Sequence, residues 1–367
     1  MDYCVSNPPQ TPALAQIRSD MKTIHAKFFS AIAILSATVL LSGGSAQTAS
    51  TVPVGFMTYT LTTGTTSSFG VPLMEVSTFS GLISAAGTNT ISATGVAWTT
   101  NQFATAGNPY FVTIKTGAQA GRTLLVTAND ATTLTLDVED TNLDASGFAV
   151  VAATDTFELF QGDTLATLFG ATADGSGLLA SGIKGGANAF TADGVQFYNG
   201  IRFVTYFFNT TLGTWVMSNG GNTSQNNFIL YPDEGMLITR RGPSTTLTVT
   251  GRVPSTGLKT KLPSGGVTST VSVRFPTDTT LAGLNFTGPG VWITGANAFV
   301  ADTVSIWNGI KWNPYFKNAS GQWIKVNGDG SDQSSTVIPA GAAVQILKRG
   351  SATGSATFFS QALPYSL

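Results

Sequence analysis

A segment of 22 residues occurs twice in this chain, and that repetition limits the folds that the sequence can form. Residues 186–207 read GANAFTADGVQFYNGIRFVTYF, and residues 295–316 read GANAFVADTVSIWNGIKWNPYF, with 13 identical positions. The match then continues with one residue dropped, so that Trp215 corresponds to Trp323. A chain that repeats a unit of about 80 residues is expected to form two similar domains, or two halves of one pseudo-symmetric domain, and not a solenoid.

Each copy contains an Asn-Gly dipeptide between two strand-like runs, QFYNGIRF and SIWNGIKW. Asn-Gly favours a two-residue type I′ turn, because both positions need positive φ, so each copy is predicted to contain a β-hairpin. Strand alternation then places Tyr198, Ile201 and Phe203 on one face of the first hairpin. The equivalent residues of the second hairpin are Trp307, Ile310 and Trp312.

The aromatic residues of both copies are expected to pack in cores, since large apolar side chains facing a sheet partner are buried by default. The alternative is a platform on which sugar rings stack. Under that alternative, the residues that contact a ligand would be Trp215, Trp323, Tyr198, Trp307 and Trp312.

Short runs rich in Val, Ile, Thr, Phe and Tyr recur along the chain and end in Gly, Asn, Asp or Pro, which predicts an all-β fold with little helix. We expect an N-terminal β domain followed by a duplicated β unit that resembles a sandwich or a small barrel. The predicted boundaries are a mis-assigned start or N-terminal extension at 1–20, a signal peptide at 21–46, the N-terminal β domain at 47–165, repeat unit 1 at 166–254, and linker strands with repeat unit 2 at 255–367.

The segment from Met21 to Ala46 has the features of a secretory signal peptide. Lys22 and Lys27 precede an apolar run, residues 28–41, which is too short for a permanent membrane helix. Small residues precede the expected cleavage after Ala46. The sequence therefore predicts an exported protein without a permanent membrane span, located in the periplasm, at the cell surface or outside the cell.

Cleavage at that point would remove Cys4 and His25, the only cysteine and the only histidine in the chain. Ser-His-Asp and Cys-His catalysis and zinc sites built on Cys or His would then be excluded from the remaining residues. Those residues include 15 basic and 17 acidic side chains, so no excess of positive charge favours binding to nucleic acid. The expected partners are a surface polysaccharide or further copies of the same chain.

The runs PYFVTIKTGAQAGRTLLVTANDATTLTLD and DTFELFQGDTLATLFG, residues 109–137 and 155–170, resemble an uncharacterised family of secreted, β-rich bacterial proteins of the verrucomicrobial type. In that family, as here, the repeated unit ends in a Trp-containing strand, a Pro-x-x-Gly turn and a basic pair. The resemblance implies export and a β fold, and it implies no activity and no catalytic residues.

Carboxylates are the remaining candidates for chemistry. Paired carboxylates can hydrolyse glycosides without histidine, and the candidates are Asp193 with Asp302, at equivalent repeat positions, and the adjacent Asp233 and Glu234, which have no counterparts in the second copy. Oxygen-rich loops suit calcium, and two segments offer such ligands, although neither fits an EF-hand. Their residues are Asp137, Glu139, Asp140 and Asp144 in the first, and Asn327, Asp329 and Asp332 in the second.

These observations favour an exported, non-catalytic β protein with a structural, surface-layer or adhesion role, and no cofactor is expected other than this calcium candidate. A carbohydrate-binding module is the alternative, and a glycoside hydrolase based on carboxylates is a more remote one. We assign no catalytic or metal-binding residue from the sequence.

Overall fold

The computed structural model describes residues 53–138, 143, 149–263, 265–287, 292–349 and 357–366, which all belong to one compact unit, residues 52–367. Strands dominate these residues, and the only helical segments among them are α1 (Leu165–Phe169) and a 3-10 turn, Leu281–Gly283. The prediction of an all-β fold with little helix is confirmed. The predicted extension and signal peptide, with Cys4 and His25, lie outside the described residues. In the described part of the chain, no helix is long and apolar enough to cross a membrane.

The strands form four consecutive groups along the chain. The first group is β1 (Val54–Leu61) and β2 (Thr66–Phe69). The second is β3 (Ser77–Leu82), β4 (Ala85–Ala86), β5 (Thr90–Ser92), β6 (Ala104–Thr105), β7 (Asn108–Ile114), β8 (Thr123–Asn129), β9 (Thr133–Leu136) and β10 (Thr156–Gln161). The third is β11 (Asp163–Thr164), β12 (Gly194–Tyr198), β13 (Phe203–Asn209), β14 (Thr214–Met217), β15 (Ile229–Leu230), β16 (Met236–Thr239) and β17 (Thr245–Arg252). The fourth is β18 (Leu258–Leu262), β19 (Thr268–Ser272), β20 (Thr279–Thr280), β21 (Asn285–Thr287), β22 (Thr303–Trp307), β23 (Trp312–Lys317), β24 (Trp323–Lys325), β25 (Val337–Ile338), β26 (Ala343–Leu347) and β27 (Thr357–Gln361).

The second group forms a module with its own sheet and its own core, which we call the inserted module. Its strand order is β3-β10-β7-β8-β9-β5-β4, with β6 added beside β7. Strand alternation directs Leu124, Val126 and Leu134 into a core that also contains Phe103 and Phe157. This module therefore buries its apolar residues independently of the repeated segments.

The remaining strands form two five-stranded antiparallel sheets with the same order. One sheet runs β14-β13-β12-β16-β2, and the other runs β24-β23-β22-β26-β19. Each is accompanied by a long antiparallel pair, β1 with β17 or β18 with β27, and by a short pair, β11 with β15 or β20 with β25. We call the two sets of strands the first copy and the second copy.

The strand register shows which residues of the two copies are equivalent. Met236 pairs with Phe69 in the first sheet, and Val344, at the equivalent place, pairs with Val271 in the second. The segment Thr66–Phe69 therefore corresponds to 268–271, whose sequences are TSSF and TSTV. The second copy is continuous, whereas the first is interrupted between β2 and β11 by the inserted module.

This arrangement differs from the expected division of the chain. Strands β1 and β2 lie within residues 47–165, the range predicted to be one N-terminal domain, yet they pair with β17 and β16 of the first copy. The pairing follows from alternation, because Leu247 and Val249 of β17 are buried while the alternating Thr246, Thr248 and Thr250 are exposed. Such a strand needs a partner that also presents one apolar face to the core.

Both predicted hairpins are present, but their turns differ from the expectation. Tyr198 pairs with Phe203, so four residues form the loop, and Gly200 alone among them has positive φ. The Asn199 Oδ1 atom accepts hydrogen bonds from the backbone N–H groups of residues 201 and 202, and Asn308 does the same in the second copy. These bonds stabilise a wider loop, and they leave Ile201 and the equivalent Ile310 at its tip, each 85% exposed.

Candidate functional site

Trp215 and Trp323 lie in equivalent strands, β14 and β24, and point into the cores of the two copies. Trp215 is 0% exposed, and its Nε1 atom donates a hydrogen bond of 2.8 Å to the Gly170 carbonyl oxygen. Trp323 is 2% exposed, and its ring centroid lies 6.1 Å from that of Trp292. Their burial corrects the alternative in which these two residues contact a ligand, because neither ring reaches the surface.

Tyr198, Trp307 and Trp312 form one row of half-buried rings with Phe203, at the place where the two hairpins meet. Phe203 and Trp312, which are equivalent residues, stack with centroids 6.3 Å apart and ring planes 6° apart. Tyr198 lies 5.2 Å from Phe203, and Trp307 lies 5.3 Å from Trp312. The row therefore joins the copies, and contact between equivalent residues indicates a pseudo-twofold relation between them.

Asp193 and Asp302 are fully buried and do not line a cleft. Asp193 forms an ion pair with Arg240, and it also accepts hydrogen bonds from the backbone N–H groups of residues 184, 241 and 242. Asp302 forms the same arrangement with Lys348, at 2.7 Å, and with the N–H groups of residues 293 and 349. These carboxylates anchor the loop that follows β16 or β26, so their equivalence in the two copies has a structural explanation.

Asp233 and Glu234 line a polar cleft with a volume of about 340 Å³. The cleft lies where the inserted module and the two copies meet. The inserted module contributes Arg122 and Asp137, the first copy contributes Tyr198 and Tyr231, and the second copy contributes β18 and β19, including Lys259, Thr260 and Lys261. The sequence-predicted Tyr198 is thus brought beside the two carboxylates, whereas Trp307 and Trp312 are not.

Backbone hydrogen bonds position the two carboxylates. The Asp233 carbonyl oxygen accepts from the Ser272 N–H at 2.9 Å, and the Gly235 N–H donates to the Thr270 carbonyl oxygen at 3.0 Å. Glu234 forms a β-bridge with Val271 between these two bonds. The segment that carries the acids is therefore attached to β19 of the other copy, and their side chains are positioned by the contact between the copies.

The electrostatic environment of the cleft favours the neutral forms of its groups. Burial, together with the smaller effect of the neighbouring Asp233 charge, raises the pKa of Glu234 to about 8. Burial also raises the pKa of Asp233, although Arg274 opposes the shift. The pKa of Lys259 is lowered by burial and by the nearby Arg122. Glu234 is therefore mostly protonated at neutral pH, and its carboxyl group can both donate and accept hydrogen bonds.

The calcium candidates are only partly described. Asp329 and Asp332 are exposed, and each accepts hydrogen bonds from a serine two residues later in its own turn. In the first segment Asp137 is described and lines the cleft, whereas Glu139, Asp140 and Asp144 lie outside the described residues. Within the described ranges, no three His, Cys, Asp or Glu side chains are grouped in a way that could hold a metal ion.

Comparison of the chain with protein-family models, with curated proteins and with solved structures finds no match. Sequence reasoning missed the contributions of Lys259, Thr260, Lys261 and Arg122, because they come from segments far apart in the chain. The available signal was the Asp233-Glu234 pair, which is absent from the otherwise similar second copy.

Proposed function

We propose that this chain is an exported, non-catalytic β protein with a structural role at the cell surface or in its surroundings. The main support for the proposal is the location of the aromatic residues that occupy equivalent positions in the two copies. Trp215 and Trp323 fill the two cores, and the row from Tyr198 to Trp307 joins the copies. Residues of this kind at matched positions stabilise a rigid duplicated scaffold.

The sequence of residues 21–46 supports export, and the resemblance to a secreted bacterial family agrees with it. Duplication of an ancestral unit accounts for the equal strand order of the two copies. The low content of charged residues, 10%, suits a surface of hydroxyl and amide groups outside the cytoplasm, and it offers no basic patch for nucleic acid.

Exposed phenylalanines at equivalent positions support a role in assembly. Phe190 and Phe299 lie in the identical GANAF loops and are 86% and 85% exposed. Large apolar residues that are this exposed at the same place in both copies are typical of interaction surfaces. Self-association through these loops is therefore part of the proposed structural role.

Trp215 and Trp323 cannot serve as stacking platforms for a carbohydrate, since both are buried. A glycoside hydrolase based on Asp193 and Asp302 is likewise disfavoured, because an acid catalyst must reach its substrate and these carboxylates are enclosed by ion pairs and backbone N–H groups.

Substitution of the two tryptophans tests the proposal. Trp215→Ala and Trp323→Ala should each lower the free energy of unfolding by about 3 to 5 kcal/mol, which thermal melts would measure. Retention of the folded variants on insoluble polysaccharide, measured in parallel, should match that of the unmodified protein. Unchanged melting together with lost retention would contradict a structural role for these residues.

Export is tested separately by the intact mass of the protein recovered outside the cytoplasm. A mature chain that begins near Gln47 is expected, and a full-length product confined to the cytoplasm would contradict export.

Self-association is tested by sedimentation of the Phe190→Ser and Phe299→Ser variants. If these variants no longer self-associate but melt at the same temperature as the unmodified protein, the GANAF loops form the contact between chains.

A further inference from the structure

The two copies make the same backbone contact twice, with their roles exchanged. The Ser272 N–H of the second copy donates to the Asp233 carbonyl oxygen of the first at 2.9 Å. The Gly70 N–H of the first copy donates to the Gly341 carbonyl oxygen of the second at 2.8 Å. By the strand register, Gly70 is equivalent to Ser272 and Gly341 to Asp233. The interface therefore contains two equivalent positions, which can be compared with each other.

One of these positions is closed by aromatic side chains. Trp307 lies across it, and its Nε1 atom donates a hydrogen bond of 2.8 Å to the Thr66 carbonyl oxygen. Tyr59 approaches Gly341 so closely that a Cβ atom at Gly341 would overlap the Tyr59 hydroxyl. The chain there reads Gly341-Ala342, the smallest residues available, so space in this position is filled and polar groups are few.

The other position is open and polar. The smaller Tyr198 replaces Trp307, and Asp233-Glu234 replace Gly341-Ala342. The result is the cleft of about 340 Å³, a size within the usual range for small-molecule sites. The closed position shows that the same backbone contact forms without charged residues and without a cavity.

The cleft also contains a hydroxyl group beside the two carboxylates. Thr260 is 8% exposed and lies in β18, and its hydroxyl interacts with the Asp233 carboxylate. Because a hydroxyl group can both donate and accept, Thr260 can also contact a ligand hydroxyl that enters the cleft.

The composition of the walls indicates the kind of ligand. Three acidic side chains and three basic ones line the cleft, and with Glu234 protonated the lining carries one net positive charge, so an ion gains only a modest attraction. Carboxyl, hydroxyl and ammonium groups lie near the rings of Tyr198 and Tyr231. Hydroxyl groups both donate and accept hydrogen bonds, and the apolar face of a sugar ring packs on an aromatic ring.

We propose that this cleft binds a neutral saccharide, with Asp233 and Glu234 as hydrogen-bonding partners of its hydroxyl groups and Tyr198 as the ring that its apolar face contacts. The protonated state of Glu234 at neutral pH supports this assignment, since such a carboxyl group serves a hydroxyl group as donor and as acceptor. The inference does not depend on the structural role proposed above, and failure of either leaves the other standing.

Calorimetric titration of the purified protein tests the inference. The probes are neutral trisaccharides, namely cellotriose, maltotriose, xylotriose, mannotriose and chitotriose, with trigalacturonate and inorganic phosphate as charged probes. Each is added up to about 10 mM, which detects dissociation constants in the millimolar range. At least one neutral trisaccharide should bind with one site per chain, and the charged probes should bind more weakly.

Three variants connect binding to the cleft. Glu234→Ala and Tyr198→Ala should each weaken binding about tenfold or more, whereas Glu234→Gln should retain it at neutral pH because the amide also donates and accepts. Asp329→Ala, which changes an exposed turn carboxylate, is the matched control and should bind normally. Thermal melts confirm that each variant is folded.

Two results would overturn the inference. The first is the absence of binding to every neutral trisaccharide by the unmodified protein, or a preference for trigalacturonate or phosphate. The second is binding that Glu234→Ala and Tyr198→Ala leave unchanged while both variants melt normally, since the saccharide would then bind elsewhere.

Discussion

Replacement of Asp193 by alanine should be among the most destabilising single substitutions in the first copy. The carboxylate is fully buried and accepts from the Arg240 guanidinium and from three backbone N–H groups, of which that of Lys184 is 2.7 Å away. Removing one member of a buried ion pair leaves the other charge unpaired, which costs about 3 to 5 kcal/mol. Arg240 keeps its bonds to the carbonyl oxygens of Gly182 and Pro243, so we expect a loss near 4 kcal/mol, or about 3 to 5.

Urea unfolding, followed by tryptophan fluorescence, measures this loss. The natural counterpart is Asp302→Ala, which should cost a similar amount because Asp302 is also buried, is paired with Lys348 and accepts from the backbone N–H groups of Ile293 and Arg349. Asp332→Ala is the control, and this exposed turn residue should change stability by less than about 0.5 kcal/mol. The double change Asp193→Leu with Arg240→Met should recover part of the loss, since it removes the unpaired charge.

The reasoning would be refuted if Asp193→Ala were no more destabilising than Asp332→Ala. It would also fail if the double variant were less stable than Asp193→Ala, because the cost would then come from altered packing and not from an uncompensated charge.

Two further predictions concern the cleft and the hairpin loops. Because the pKa of Glu234 is raised from 4.5 to about 8 on folding, the folded state binds more protons between these values, so stability should fall as pH rises through this window, by up to about 1.4 kcal/mol per pH unit. Glu234→Gln should reduce that slope in urea titrations at pH 5, 7 and 9, and an identical slope would show that this carboxyl group does not titrate as described. Gly200→Val and Gly309→Val should each cost about 1 to 2 kcal/mol from left-handed backbone strain, since both have φ near +90° and open space around them. Gly175→Val, at an exposed glycine without positive φ, should be nearly neutral, and equal losses at all three positions would exclude strain as the cause.

Local pattern was sufficient to predict the β class, the two hairpins and the burial of the tryptophans. The apolar alternation in QFYNGIRF and SIWNGIKW set the strands, and the matched Trp215 and Trp323 reflected the same packing requirement in both cores. The short helix α1 begins after Thr164, a favourable N-cap residue whose hydroxyl accepts a hydrogen bond from the Thr167 N–H.

The loop geometry and the interruption of the first copy could not be predicted in the same way. The Asn199 side chain competes with the type I′ turn by binding two N–H groups, and the dipeptide alone does not reveal which arrangement is more stable. The segments TSSF and TSTV are too short to be recognised as equivalent, and only the sheet register shows their correspondence. The cleft forms where three segments that are distant in the sequence meet, so no local sequence pattern predicts which residues line it. The one indication in the sequence is the Asp233-Glu234 pair, which has no counterpart in the second copy.

The interruption of the first copy has a consequence for the order in which the chain folds. Leu61 pairs with Thr245, 184 residues away, whereas Leu262 pairs with Thr357, 95 residues away. Closing the longer loop costs more chain entropy, by about 0.6 kcal/mol for each doubling of length. The inserted module offsets this cost, because its first and last strands, β3 and β10, are antiparallel neighbours, so that once folded it holds its two ends side by side. We therefore expect the inserted module to fold first and to bring β2 near β11. The loop that must close when β1 pairs with β17 is then effectively shorter.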